Sequence, residues 1–185
     1  MDTTGWIGIV VAGALLLWAV LAFNGLVRAR NQARAAFADV DVQLTKRHDL
    51  VPVLVESVRG YMAHERGALE DVVRLRGEAG SPRADADSAA RENALAGAMG
   101  RLLALVETYP DLKADGQFAQ LMRELVAAED ALQYARRYYN GSVRDLNNRI
   151  QRFPDLLLAQ LLSFPEQPFY EVARIEQRAA PQVTL

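Results

Sequence analysis

The stretch "KRHDLVPVLVESVRGYMAHE", residues 46–65, decides the fold because its apolar residues recur every three or four positions. The same spacing continues on both sides, and no run alternates apolar and polar residues as a half-buried strand would. The seam of apolar positions consists of Phe37, Val40, Leu44, Val51, Val55, Val58, Met62, Leu69 and Val72. This period predicts one long helix, which we expect to run from about residue 7 to residue 78.

Pro52 interrupts the backbone of this helix. It lacks the N–H that would bond the carbonyl of His48, so one helical hydrogen bond is lost. The seam stays in phase through Val55 and Val58, which favours a bend over an end. The alternative is that Asp49 caps a new helix with Pro52 in its first turn. In either case His48 and Pro52 are hinge candidates.

The two histidines do not predict a metal site. His48 and His64 are sixteen residues apart, which on a straight helix separates them by about 160° around the axis and about 24 Å along it. They cannot share one ion. A histidine on the apolar seam is more typical of a packed or interface residue than of a ligand or base.

Composition excludes several classes of function. The 185 residues suffice for one core, and the formal charge of -2 leaves no basic excess for nucleic acid. Cysteine is absent, so disulfides, thiolate metal sites and cysteine nucleophiles are excluded. None of the common nucleotide-binding, hydrolase or metalloprotease motifs occurs. We therefore expect no catalytic, cofactor-binding or metal-ligating residues, and no enzymatic activity.

Residues 6–27, "WIGIVVAGALLLWAVLAFNGLV", contain no charge. About 20 apolar residues cross a hydrocarbon core of roughly 30 Å, so this run predicts a transmembrane anchor within an N-terminal segment of residues 1–27. A cleavable signal peptide is the alternative, but it would need a positive start and a small-residue cleavage site. Trp6 and Trp18 are candidate anchor residues.

The basic residues predict the orientation of the anchor. Arg28, Arg30 and Arg34 follow the span and nothing basic precedes it. The positive-inside tendency places the short N-terminus outside and the remainder in the cytoplasm. Arg28 and Arg30 can also reach anionic headgroups, which makes them anchor candidates too. The lipid bilayer is thus the first predicted partner.

The remaining chain predicts two more long helices and a short one. The second runs from about residue 85 to residue 107, and the third from about residue 117 to residue 152. Pro154 opens a short segment, "PDLLLAQLLSF", which could lie on a membrane or cap the bundle; we expect capping, because the segment lacks a basic face. We predict an all-α antiparallel bundle over residues 28–164 and a mostly irregular tail over residues 165–185.

Helix lengths predict an uncovered surface. At 1.5 Å per residue, the second helix returns only about halfway along the first before the third turns outward again. The seam between Phe37 and Leu54 then lacks a partner in its own chain, and we expect further copies or another envelope protein to cover it. The interface candidates are Phe37, Val40, Leu44, His48, Val51, Pro52 and Val55.

Four segments in order resemble the LemA family of bacterial membrane-anchored proteins: "DVQLTKRHDLVPVLVESVRGYMAHE", "LLALVETYPDLKA", "ARRYYN" and "RFPDLLLAQLL". The resemblance implies an extracellular N-terminus, one transmembrane helix in the bacterial cell membrane and a helical soluble region. It carries no catalytic residue to this chain. Phe37 stands where the family pattern leads us to expect tryptophan. We expect a self-associating scaffold or interaction protein, or alternatively a sensor whose hinge at His48–Pro52 regulates a partner.

Overall fold

The computed structural model describes residues 3–62, 64–80 and 86–170, and in these residues the chain forms six α-helices and no strand. They are α1 (Thr3–Arg59), α2 (Arg66–Ala79), α3 (Ala86–Val106), α4 (Pro110–Ala114), α5 (Gly116–Gln151) and α6 (Asp155–Leu161). The all-α prediction is confirmed. Of the predicted irregular tail, residues 165–170 are non-helical, and residues 171–185 lie outside the described residues.

The prediction of one helix from residue 7 to residue 78 is wrong at one point. α1 ends at Arg59, and α2 begins only at Arg66. Between them the chain reverses direction, as shown by the hydrogen bond from Arg76 on α2 to the backbone carbonyl of His48 on α1. The spacing of apolar residues could not predict this turn, because Met62 lies in the turn, is buried, and continues the same spacing.

The seam of α1 is covered within the chain. Val40, Leu44, Val51 and Leu54 are 0% exposed. The prediction that this seam lacks a partner in its own chain is therefore wrong. The missed reversal is the reason: with it, α3 and α5 both reach this part of α1, where Arg47 bonds side chains of each.

The described chain divides into two compact units. The first contains residues 3–38 and 137–169, and the second contains residues 39–136 with Tyr170. The core of the second unit is formed by apolar residues of α1, α2, α3, the short α4 and the first part of α5. α5 begins at a cap that the sequence did not single out, because Asp115 accepts hydrogen bonds from the backbone N–H groups of Gln117 and Phe118.

The first unit is built from two antiparallel helices and the segment after α5. Phe37 packs edge-on against Tyr139, with ring centroids 5.4 Å apart. Asn147 holds the later segment through two hydrogen bonds to the backbone of Gln167, of 2.9 and 3.0 Å. These two bonds fasten the segment after α6 to α5.

The N-terminal part of α1 is a candidate membrane span. Among the described residues, α1 is the one helix long and apolar enough to cross a bilayer, with a mean hydropathy of 2.5 in its most apolar window. Only 6% of that window is buried inside the protein, whereas the core helix of a soluble protein would be mostly buried. Of the predicted anchor residues, Trp6 is 58% exposed and Trp18 is half-buried.

Candidate functional site

A buried cluster of charged side chains lies in the second unit, inside the stretch that defined the seam. Arg47 is 2% exposed and Glu92, on α3, is 0% exposed. The Nη2 atom of Arg47 donates to the Oε2 atom of Glu92. The Nη1 atom of Arg47 donates to Glu129 on α5 over 3.3 Å. One arginine of α1 therefore ties α1 to two other helices.

His48 completes the cluster. Its Nε2 atom lies 2.8 Å from the Oε1 atom of Glu92, so one basic side chain of α1 faces each carboxylate oxygen of Glu92. Burial by itself raises the pKa of Glu92, but the hydrogen bonds and positive charges of His48 and Arg47 together lower it more strongly. The pKa of Glu92 therefore lies below its usual value, and the carboxyl is held in its ionised form.

The carbonyl that Pro52 deprives of its helical partner has found another. Arg76 on α2 donates from its Nε atom to the carbonyl oxygen of His48 over 2.8 Å. α1 continues through Pro52 to Arg59, so the alternative of a new helix capped by Asp49 is wrong. Pro52 thus creates the acceptor through which α2 is fastened to α1.

This cluster is chemically suited to hold helices in register. Arg47 and His48 face the same carboxylate, which is 0% exposed and so closed to a substrate from solvent. A buried ion pair adds little net stability, but removing one partner leaves an uncompensated charge. Within residues 3–62, 64–80 and 86–170, no group of histidine, aspartate and glutamate side chains could hold a metal ion. The other histidine, His64, is exposed in the turn after α1.

Sequence reasoning missed Arg47 and Glu92, although a signal for both was present. Glu92 continues the three-and-four spacing of Leu95 and Met99 on α3, and Arg47 fills the same phase between Leu44 and Val51. A charged residue at an apolar position of a helical stripe indicates a buried ion pair. The sequence could not say which two such positions meet.

A second buried arginine lies in the same unit. Arg136 is 4% exposed, and its guanidinium lies 4.8 Å from the centre of the Tyr170 ring. It also donates to the Tyr170 hydroxyl over 3.5 Å. Burial raises the pKa of Tyr170. Arg136, from the stretch "ARRYYN", thus packs on a tyrosine from outside that stretch.

An open groove of about 590 Å³ lies where α2 turns back along α1. Its lining residues are Val55, Arg59, Met62, Arg66, Leu69, Glu70, Val73 and Arg74. We call these residues the α1–α2 groove. Its floor is apolar, and three of its four charged lining residues are arginines. Arg59 and Arg74 pair with acidic residues of their own helices, whereas Arg66 has no ion-pair partner among the described residues.

The predicted hinge and interface residues are thus divided between the two units. The core of the second unit contains Val51 and Val55. In the same unit, Val40 and Leu44 are also buried. His48 is half-buried in the ion cluster and Pro52 is exposed. Phe37 lies in the first unit against Tyr139.

The predicted anchor arginines lie in the first unit. Arg28 is exposed, and Arg30 is half-buried. The guanidinium of Arg30 lies 5.0 Å from the centre of the Phe164 ring. Arg30 therefore holds the segment after α6 as well as lying beside the apolar span.

Comparisons with known proteins agree on one family. The model of the LemA family matches residues 36–185, which is most of the chain but begins after the apolar span. Protein LemA of Metamycoplasma hominis is 24% identical over 155 residues, covering 83% of this chain and 71% of that protein.

Two magnetosome proteins are also similar to this chain. MamQ of Magnetospirillum gryphiswaldense is 22% identical over 186 residues, covering 85% of this chain and 67% of that protein. MamQ 2 of Paramagnetospirillum magneticum is 31% identical over 74 residues, covering 40% of this chain and 27% of that protein.

Proposed function

The chain belongs to the LemA family, and on that premise we propose that it is a membrane-anchored interaction protein that docks a partner in the α1–α2 groove. The apolar part of α1 is the anchor, and the helical region is the part that the partner meets. The arginines after the span favour a cytoplasmic position for that region. The observation that carries the proposal is a groove with an apolar floor and an arginine-rich rim in a unit whose own core is already closed.

The lining of the groove selects the chemistry of the partner. Val55, Met62 and Leu69 offer an apolar floor, and Val73 on the rim is 53% exposed. Arg66 has no ion-pair partner among the described residues and can accept a carboxylate. A helical segment with one apolar face and flanking acidic residues fits both features. We propose such a segment of another envelope protein as the occupant.

Binding rather than catalysis is the activity that these side chains support. The buried carboxylate of Glu92 is occupied by Arg47 and His48. The groove itself contributes arginines and one glutamate, Glu70, without a nucleophile–base pair among its described lining residues. Arginines on a rim steer and orient an acidic partner.

A photocrosslinking amino acid in place of Val73 tests the docking groove in native membranes. Val126 on α5 is the matched control, because it is also a valine, is 56% exposed and does not line the groove. We expect a discrete adduct from position 73 whose yield falls several-fold when Arg66→Glu is added. Mass spectrometry should identify an acidic helical segment in the adduct. Equal adduct patterns from positions 73 and 126, or no effect of Arg66→Glu, would contradict the proposal.

A pH-responsive sensor is the second candidate function, and the His48–Glu92 contact favours it. Histidine changes charge in the physiological range, and His48 faces Glu92 of α3 beside Arg47, while its carbonyl holds Arg76 of α2. A change in the His48 charge would act on the same ties that position α2 and the groove.

The variant His48→Gln separates the two candidate functions, since glutamine keeps a donor but does not titrate. The sensor requires that crosslinking from position 73 differ between pH 5.5 and pH 8 in the natural chain and not in His48→Gln. An identical response in both chains excludes the sensor and leaves docking intact.

A further inference from the structure

α6 and its flanks expose a row of large apolar side chains in the first unit. Within α6, Leu157 is 55% exposed and Leu161 is 79% exposed, four residues apart, and Phe153 just before the helix is 74% exposed. Intervals of four lie on one face of a helix. Leu162, next to this face, is 44% exposed. Exposure of this apolar face to water would be energetically unfavourable, so the face marks an interaction surface.

The end of α6 is fixed against the apolar span. Phe164 donates its backbone N–H to the carbonyl of Ala159, and Ser163 donates to that of Gln160, which is the paired bonding of a Schellman motif. This motif holds Phe164 edge-on to Phe23, with ring centroids 6.4 Å apart. Phe23 belongs to the uncharged run of residues 6–27. The apolar face of α6 is thus in the same unit as the cytoplasmic end of the anchor and is tied to it.

Basic side chains surround the same level of α1. A Cβ atom on Gly25 would lie 2.5 Å from the Nη1 atom of Arg149, so the guanidinium of Arg149 rests against the backbone near the end of the span. Arg152 follows one turn later and pairs with Asp155 over 3.5 Å. Asp155 is the single acidic residue between positions 149 and 164. Basic residues beside an apolar face suit anionic headgroups above acyl chains.

We propose that α6 is a second membrane element, whose apolar face enters the cytoplasmic surface of the bilayer that α1 spans. The proposal rests on the anchor of the proposed function but is independent of the groove. It replaces the expectation that this segment only caps the bundle, because the capping contacts bury just Asp155 and Ala159 of α6. The occupant is a lipid surface rather than a second chain, since Phe164 fixes the end of α6 beside Phe23 of the apolar span.

The absence of natural cysteine allows single labels in the full chain. We would place an environment-sensitive fluorophore on Leu161→Cys, on Leu16→Cys in the span, and on Tyr138→Cys as the control. Tyr138 is 44% exposed in the same unit, and its hydroxyl meets Gln32, about 14 Å further along α1 than Phe23 at 1.5 Å per residue. The chain is reconstituted in phosphatidylcholine–phosphatidylglycerol vesicles that carry nitroxide-labelled lipids.

We expect lipid nitroxides to quench the labels at positions 16 and 161 at least several-fold more than the label at position 138. Quenching at 16 but not at 161 would overturn the proposal while leaving the anchor in place. Quenching at neither would overturn the anchor and α6 together. A label at 161 that is shielded in proportion to protein concentration, without lipid quenching, would assign the face to a second copy and also overturn the proposal.

The unlabelled chain provides an independent measurement. Amide hydrogen exchange of residues 155–162 should slow several-fold on transfer from mild detergent at high dilution to vesicles, whereas the exchange of α3 should not change. Equal exchange of residues 155–162 in both environments would contradict membrane contact, whatever effect a fluorophore has on partitioning.

Discussion

α1 carries apolar residues along both of its halves, yet the two halves meet different surroundings. In the first half Leu16 is 68% exposed, and most of its apolar neighbours are exposed as well. In the second half Val40, Leu44 and Val51 are 0% exposed within the chain, and Val51 belongs to the core that α1 shares with α2, α3 and α5. The difference teaches that apolar content alone does not tell a core helix from a span. What separates the two parts is charge: residues 6–27 have none, whereas the second half carries Arg47 at a buried position.

Removing the buried carboxylate of Glu92 should lower the free energy of unfolding most. Glu92→Ala leaves Arg47 and His48 without their shared partner, and an uncompensated buried charge costs about 3–5 kcal/mol. Urea unfolding of the full chain in mild detergent, followed by circular dichroism, measures this loss. Glu56→Ala is the control, because its side chain is 73% exposed and pairs only with Arg59; its effect should stay below about 0.5 kcal/mol. Equal losses for the two variants would show that Glu92 is not a buried tie.

Leucine truncation compares the two halves directly. Leu44→Ala should lower the free energy of unfolding by about 3 kcal/mol, since it opens a cavity in a closed core. Leu16→Ala should change the same quantity by less than about 0.5 kcal/mol, because its side chain is 68% exposed among the described residues. The same urea titration serves both variants. A large loss for Leu16→Ala would mean that the first half has a protein partner.

Arg76→Ala should lower the free energy of unfolding by about 2 kcal/mol, because the partly buried carbonyl of His48 loses a charged hydrogen-bond donor. Pro52→Ala restores a backbone N–H that can bond the same carbonyl. In the Pro52→Ala background, Arg76→Ala should therefore cost clearly less. A double-mutant cycle of urea midpoints measures the difference. Additive effects would show that Arg76 does not act through the carbonyl that Pro52 leaves free.

Acid provides the smallest perturbation of the cluster. Since the pKa of Glu92 is lowered in the folded chain, the unfolded chain binds its proton first as the pH falls through about 4.3, the usual glutamate value. The stability that Glu92 contributes is therefore present above that pH and is lost as the pH falls toward the lowered pKa. Glu92→Gln should make the free energy of unfolding less dependent on pH between 5 and 3. An unchanged slope would contradict the lowered pKa.

Much of the fold could be predicted because its signals are local. The charge-free run of residues 6–27 predicts the span, and the three-and-four spacing predicts α3 and α5 within about two residues of their observed ends. The acceptor at His48 also follows from the sequence, since proline cannot donate. These features depend only on residues near one another along the chain.

The features that were missed depend on contacts between distant residues. The turn after Arg59 keeps the apolar spacing in phase through Met62, so no period could reveal it, and one missed reversal changed which helices cover α1. Glu92 and Arg47 each stand in phase with apolar residues, which marks them as buried. That they meet each other, 45 residues apart, requires the tertiary fold.

Two exposed residues of α1 test the central contrast most directly. Leu16 is 68% exposed and Val53 is 52% exposed within the chain, so only their surroundings should distinguish them. Single cysteines at these positions are treated with a membrane-impermeant maleimide in native membrane vesicles opened to both sides. We predict rapid labelling at position 53 and protection at position 16. Equal labelling of both would contradict a membrane-embedded first half, and protection of both would contradict a second half that is complete within one chain.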